Sequence, residues 1–287
     1  MEDSDGKPVQ SWERRQLACP RQGFGTAKPL PCHPTPYFTI KVIEVLGVAI
    51  APLSLRQILA IIQHTVAHRQ RLLITYVNAH ALNVASTTPW FRMFLNQCDI
   101  VFCDGFGVKW GARLLGYHIP QRFTPPDWID RLAHMAGQHG FSLFLVGSRP
   151  GIAAKTANLL QARYPDLRIV GTHHGYFDKT PDSQENTAVV QAINASSPDI
   201  LIVGLGTLLQ EQWLKENWQH IDARVALTVG AAFDYVSGEV VRGPKWMTDH
   251  GLEWLSRLVI EPRRLWRRYV VGNPLFLWRI FKQRVKR

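Results

Sequence analysis

From Phe38 to about residue 245, short apolar runs rich in β-branched and aromatic residues alternate with segments whose apolar residues recur every three or four positions. The runs Arg71 to Val77, Asp99 to Cys103, Phe141 to Val146, Leu167 to Val170, Asp199 to Val203 and Arg224 to Val229 are predicted to be buried strands, because each is mainly apolar and ends in polar or glycine residues. Helices are predicted to begin near Ser54, Ala79, Gly107, Pro126, Gly151, Pro181, Thr207 and Pro244. In the first of these, Ser54 suits the N-cap, and Leu55, Ile58, Leu59, Ile62 and Val66 recur at helical spacing. Strands alternating with helices imply right-handed crossovers, so the expected fold is α/β: a Rossmann-like, mostly parallel sheet covered by helices. Ligands of such sheets bind beyond the carboxyl ends of the strands. The residues just past each strand are therefore the informative part of the chain.

The two ends depart from this pattern. Residues 1 to 36 hold six of the eighteen prolines and no apolar periodicity, which predicts a disordered leader over residues 1–37. The α/β core is expected over 38–245 and a basic, aromatic helical appendage over 246–287. Charge sharpens this division. Residues 39 to 240 hold sixteen Lys/Arg against fifteen Asp/Glu, whereas residues 241 to 287 hold twelve against three, so most of the formal net charge of +11 lies at the C-terminus. No apolar run reaches the roughly 18 residues that a spanning helix needs. Cys19, Cys32, Cys98 and Cys103 show no CxxC spacing, which argues for a reducing compartment and against a disulfide framework or a zinc site. The first seven residues carry three acids and no apolar stretch, so no signal peptide is expected and the chain is placed in the cytoplasm.

Five loops carry candidate chemistry. Gly147-Ser148-Arg149-Pro150-Gly151 comes after one predicted strand and Gly204-Leu205-Gly206-Thr207 after another, each opening a helix whose N-terminal N–H groups suit a diphosphate. The same glycines also suit tight strand-to-helix turns. Neither loop is GxGxxG or GxxxxGK[ST], which disfavours a dinucleotide enzyme and a P-loop NTPase. Asp104, at the end of a buried strand and before Gly105, is either a general base or an N-cap. Asn78 offers an amide to a sugar or a base, or another cap. Arg122, in a proline-bounded loop, can face phosphate or solvent. Gln210 and Glu211 stand one turn into the helix after the second glycine loop. His64 and His68 have metal spacing without an accompanying glutamate, and neighbouring His173 and His174 point to opposite faces of a strand, so no metal site is expected.

The tail interleaves Arg263, Arg264, Arg267, Arg268, Arg279, Lys282, Arg284, Lys286 and Arg287 with Trp266, Tyr269, Phe276, Trp278 and Phe281. That mixture suits an anionic membrane surface. It also suits nucleic acid, or a solvated helix that packs its aromatics on the core.

Six segments in order carry a resemblance to a known family: VLGVAIAPLS at 45–54, CDGFGV at 103–108, VGSRPGIA at 146–153, YPDLRIVGTHHGYF at 164–177, SPDILIVGLGTLLQEQW at 197–213, and the stretch from VGAAFDY at 229 through RRLWRRY, which ends at 269. Together they resemble the WecG/TagA/CpsF glycosyltransferases, family 26. The resemblance implies an inverting enzyme that needs no cofactor or metal. It moves a sugar (N-acetylmannosamine, its uronic acid, or glucose) from a UDP-sugar to a polyprenyl-diphosphate-linked saccharide, in cell-wall or exopolysaccharide synthesis at the cytoplasmic face of a bacterial membrane. It implies Asp104 as general base, Asn78, Arg122 and Gln210 in the active site, and Arg257, Arg264 and Arg267 near the acceptor diphosphate. Backbone N–H groups around Gly147, Gly204 and Gly206 would receive the UDP. Tyr76 departs from the family's usual threonine two residues before the asparagine, and QRFTPPDW departs from its Arg-x-x-Gly-x-Asp, so both bear on which sugar is read. Nucleic acid is not an expected partner, although a nonenzymatic nucleotide- or RNA-binding module is the alternative reading. Oligomeric state is left open.

Overall fold

The computed structural model describes residues 40–241, 243, 247, 253–260 and 262–286. The proposed leader, the core–appendage boundary and the helix start at Pro244 lie outside these residues. An antiparallel hairpin, β1 (Ile43–Val45) and β2 (Val48–Ile50), precedes the main sheet. Six strands then pair in parallel: β3 (Leu72–Val77), β4 (Ile100–Cys103), β5 (Ser142–Gly147), β6 (Arg168–His173), β7 (Ile200–Gly204) and β8 (Val225–Thr228), in the order β4-β3-β8-β7-β5-β6. All six predicted strands are present. The hairpin escapes periodicity because its strands have three residues each.

Helices cover both faces. On one lie α1 (Leu55–Ala67), α5 (Pro125–His139), α6 (Ile152–Arg163) and the short α9 (Ala232–Val236), with Leu143 and Leu145 of β5 turned toward them. On the other lie α2 (Ala79–Ala85), α3 (Pro89–Gln97), α4 (Phe106–Leu114), α7 (Gln184–Ser196) and α8 (Leu209–Asn217), facing Phe144 and Val146. Alternate side chains of a strand point to opposite faces, so a strand buried on both sides reads as a continuous apolar run. Ser54 caps α1 as expected, in a capping box with Gln57.

The C-terminal segment continues as α10 (Glu253–Ile260), α11 (Pro262–Trp266), a π-helical turn (Arg267–Val271) and α12 (Gly272–Val285). It divides its aromatics. Phe276 and Ile280 are buried against the α2 and α4 side of the sheet, while Trp266, Trp278 and Phe281 stay exposed. Arg279 donates to the Asn83 carbonyl and side chain, and Gln283 accepts from the Leu46 N–H, so α12 is docked as well as basic. No described helix is long and apolar enough to cross a membrane.

The topology locates a crevice. Along the neighbouring strands β3, β8, β7 and β5, the chain leaves to α2, α9, α8 and α6, which lie alternately on opposite faces. Loops that diverge in this way open a cleft at the carboxyl ends of the strands.

Candidate active site

Asp104 and Asn78 stand at the ends of adjacent strands β4 and β3, joined by the parallel pairing of Val77 with Cys103. The Asn78 side-chain nitrogen donates to an Asp104 carboxylate oxygen at 3.4 Å, and its oxygen accepts from the Ala81 N–H, capping α2. The two readings of Asn78 are therefore compatible: capping fixes the rotamer that presents the amide to Asp104. For Asp104 the capping reading fails. The N-cap of α4 is Gly105, with φ of 90°, and no side chain caps that helix. Arg122 lies beside the same loop, its guanidinium 4.7 Å over the Phe106 ring and 3.9 Å from Asp127. Its side chain is only 13% exposed.

Tyr76 forms the floor. The ring is buried beside Phe102, and the Thr207 side chain stands near its hydroxyl. Gly230 makes room for it, since a Cβ there would stand 2.4 Å from the Tyr76 oxygen. Burial, reinforced by the carboxylates of Asp104 and Glu211, holds the phenol far above its usual pKa, so it remains protonated.

The glycine loops divide their roles. A Cβ on Gly147 would lie 2.3 Å from the Gly204 carbonyl oxygen, and one on Gly204 would meet Gly230 and Phe233. Both therefore allow strand ends to approach closely, and the Ser148 N–H is taken by the Gly204 carbonyl. This narrows the diphosphate cradle expected after β5. Gly206 is different: its φ is 86° and the space where a side chain would sit is open. Beside these glycines two side-chain-bearing residues adopt positive φ, Ser148 at 55° and Leu208 at 75°. Such conformations are costly and gather at ligand-binding loops.

Behind Leu208, Gln210 is fully buried and bridges the loops: its oxygen accepts from the Gly230 N–H and its nitrogen donates to Glu211. It holds the crevice wall in place. Glu211 is 1% exposed, accepts from the Leu208 N–H, and is pushed by burial up to about 7. In the unfolded chain this carboxyl ionises near 4.5. Raising the pH between these values therefore ionises the unfolded state first, and stability falls through that window, levelling off above it. Between pH 5 and pH 8, urea unfolding should show the wild type losing roughly 2 to 3 kcal/mol more stability than Glu211→Gln, a comparison in which the opposite contribution of His80 cancels. Equal pH slopes in the two proteins would show that Glu211 ionises normally.

The appendage supplies a residue that sequence reasoning passes over. Arg268, in the π-helical turn, is half-buried, and its Nε is enclosed without a hydrogen-bond partner. Its charge acts on Tyr76 and on His80, two residues after Asn78; desolvation first, and Arg268 second, lower His80 to about 4. Arg268 thus places a positive charge within electrostatic reach of a neutral histidine and a protonated phenol, surroundings suited to an anion. The one available signal is the RRLWRRY cluster, in which nothing local distinguishes Arg268 from its neighbours. Of the expected appendage residues, Arg267 is exposed and lies 5.3 Å from the Trp266 ring. Arg257 and Arg264 lie within α10 and α11, and their side chains are outside the described structure. Asp234, at the start of α9, is a second residue without a sequence signal: its carboxylate accepts from Ser148 Oγ at 3.2 Å across the ends of β8 and β5. Among the described residues no group of three His, Cys, Asp or Glu could hold a metal ion.

The family described as the glycosyl transferase WecG/TagA/CpsF family matches this sequence over residues 43–287. An N-acetylglucosaminyldiphosphoundecaprenol N-acetyl-beta-D-mannosaminyltransferase from Staphylococcus aureus (strain MRSA252) is 26% identical over 246 residues, covering 85% of this chain and 94% of that protein. A protein of the same name from Bacillus subtilis (strain 168) is 27% identical over 222 residues, covering 77% of this chain and 83% of its own length.

Proposed function

The chain belongs to the WecG/TagA/CpsF glycosyl transferase family, and on that premise we propose that it transfers a hexose from a UDP-sugar to a hydroxyl of a polyprenyl-diphosphate-linked saccharide, with inversion at the anomeric carbon. The observation that carries this reading is the Asn78–Asp104 pair at the ends of β3 and β4, in which Asp104 caps no helix. Asp104 takes the proton of the acceptor hydroxyl as that oxygen forms its bond to the anomeric carbon. The bond to UDP breaks on the opposite face, and its electron pair leaves with the diphosphate. Because the diphosphate departs as an anion, it needs positive charge and not a proton. Arg268, Arg122 and the open backbone at Gly206 are suited to supply it. The Asp234 carboxylate is suited to accept from the ribose hydroxyls of the donor.

The relatives' acceptor is a diphosphoundecaprenol-linked N-acetylglucosamine by name, and a lipid-linked acceptor of that kind accords with a basic C-terminus that exposes Trp278 and Phe281. We place the enzyme on the cytoplasmic face of the membrane, held peripherally by that tail.

The test is UDP release from UDP-N-acetylmannosamine, its uronic acid and UDP-glucose, each with polyprenyl-diphosphate N-acetylglucosamine. One donor should give release that depends on the acceptor, and the product should carry an inverted linkage. No acceptor-dependent release from any of them would overturn the reading. The charge on the leaving group is assigned to arginines, so turnover in EDTA should stay within about twofold of the untreated rate, because removing Mg²⁺ or Mn²⁺ removes nothing the transition state uses. Loss of activity in chelator with recovery on Mn²⁺ would refute that assignment.

A further inference from the structure

Helix α4 begins two residues after Asp104 and carries a feature that the transfer reaction does not use. An open groove of about 590 Å³ runs along it, walled by Phe106, Trp110 and Tyr117, with Lys109, Arg113 and His118 between them. Among the described residues no acidic side chain lines the groove. Residues 106, 109, 110 and 113 are neighbours on one helical face, so rings and cations are interleaved. The Phe106 and Trp110 rings lie 6.1 Å apart, and Lys109 Nζ donates to the Pro120 carbonyl across the groove. Trp110 is 57% exposed and Leu114, one turn further, 44%. The helix is backed by the appendage: a Cβ on Gly111 would lie 2.8 Å from Phe276, so α4 and α12 are in close contact. On α12 the motif recurs, with Lys282 Nζ 3.6 Å over the exposed Trp278 ring.

We propose that the α4 groove binds an anionic phospholipid of the bilayer, with the phosphate among Lys109, Arg113 and His118 and the glycerol and upper acyl chain against Trp110 and Tyr117. Charge complementarity selects the head group, since the described lining offers cations and neutral groups. Exposed tryptophan and leucine on the same face select an amphiphile over a free anion, because indole is favoured where an apolar phase meets water. The groove adjoins the crevice at Phe106, on which Arg122 packs, but it runs away from Asp104 along α4, and it needs no sugar transfer. It would set α4 at head-group depth and hold Asp104 at the membrane surface.

Cosedimentation of the full chain with vesicles tests this without turnover, so its outcome is separable from that of the reaction. Vesicles of phosphatidylcholine with phosphatidylglycerol should bind the wild type. Arg113→Glu should weaken binding about thirtyfold, from two units of charge at an anionic surface. Arg113→Lys should restore it. Trp110→Ala should weaken it roughly tenfold through lost apolar burial. Arg56→Glu, the same charge change on α1 across the sheet, should stay within about twofold, because salt screens distant charge. Unfolding curves of all variants should coincide, since each residue is exposed. If the α4 variants bind like Arg56→Glu, the tail alone docks the protein and the site is refuted. If phosphatidylcholine vesicles containing only a polyprenyl phosphate bind equally well, with the same sensitivity to Arg113→Glu, the groove belongs to the lipid-linked acceptor and the phospholipid assignment falls.

Discussion

Asp104→Asn should lower sugar transfer by roughly 10² to 10⁴, while UDP affinity measured by calorimetry stays within a few-fold, because a general base acts on the acceptor and only in the transition state. The substitution is nearly isosteric. The Asp104 backbone N–H bonds to Val77 in the strand ladder whatever the side chain. The Asn78 amide still finds an acceptor in the new side-chain oxygen. A parallel fall in UDP affinity would instead make Asp104 a donor-binding group, and near-normal turnover would remove it from the chemistry.

Arg268→Gln should lower kcat/KM by about 10² to 10³, the loss typical when one group that stabilises developing charge is removed. Arg268→Lys should recover part of this, because charge returns without the planar fork. A purely structural role is distinguished by His80. Arg268 is the second cause of its lowered pKa, after burial, so in Arg268→Gln the imidazole should titrate higher, with the main shift from burial retained. NMR titration of His80 reads this directly. A drop in activity with unchanged His80 titration would mean that Arg268 does not face the crevice.

Periodicity alone places the six strands of the sheet and makes the fold class legible, because strands buried on both faces are written as short continuous apolar runs. Asp104, Asn78 and the two glycine loops are legible for a related reason: in a parallel sheet the residues just after a strand reach the ligand face, and that position can be read without knowing the neighbours. The six ordered segments carry the family. The concentration of basic residues after residue 240 marks the C-terminus as the charged end.

Sequence could not supply features that depend on partners far apart in the chain. Strand order is one example, since β8 inserts between β3 and β7 through pairings such as Ile74 with Leu227. No local pattern names those pairs. Whether Asp104 caps a helix is undecidable from spacing and is settled by the backbone at Gly105. Gly147 and Gly204 look alike as phosphate-loop glycines until the two strand ends are seen to touch. Glu211 reads as an ordinary first-turn acid, yet the folded core buries it, excludes water and raises its pKa. Arg268 is one basic residue among many until Phe276 and Ile280 dock α12 against α2 and α4, which brings the charge of the π-helical turn within reach of Tyr76 and His80. Hydrophobic pattern is a local property that says which face of an element is buried. Strand neighbours, solvent exclusion around an ionisable group and the aim of a distant arginine are set by packing across the whole molecule, and only the tertiary structure decided them.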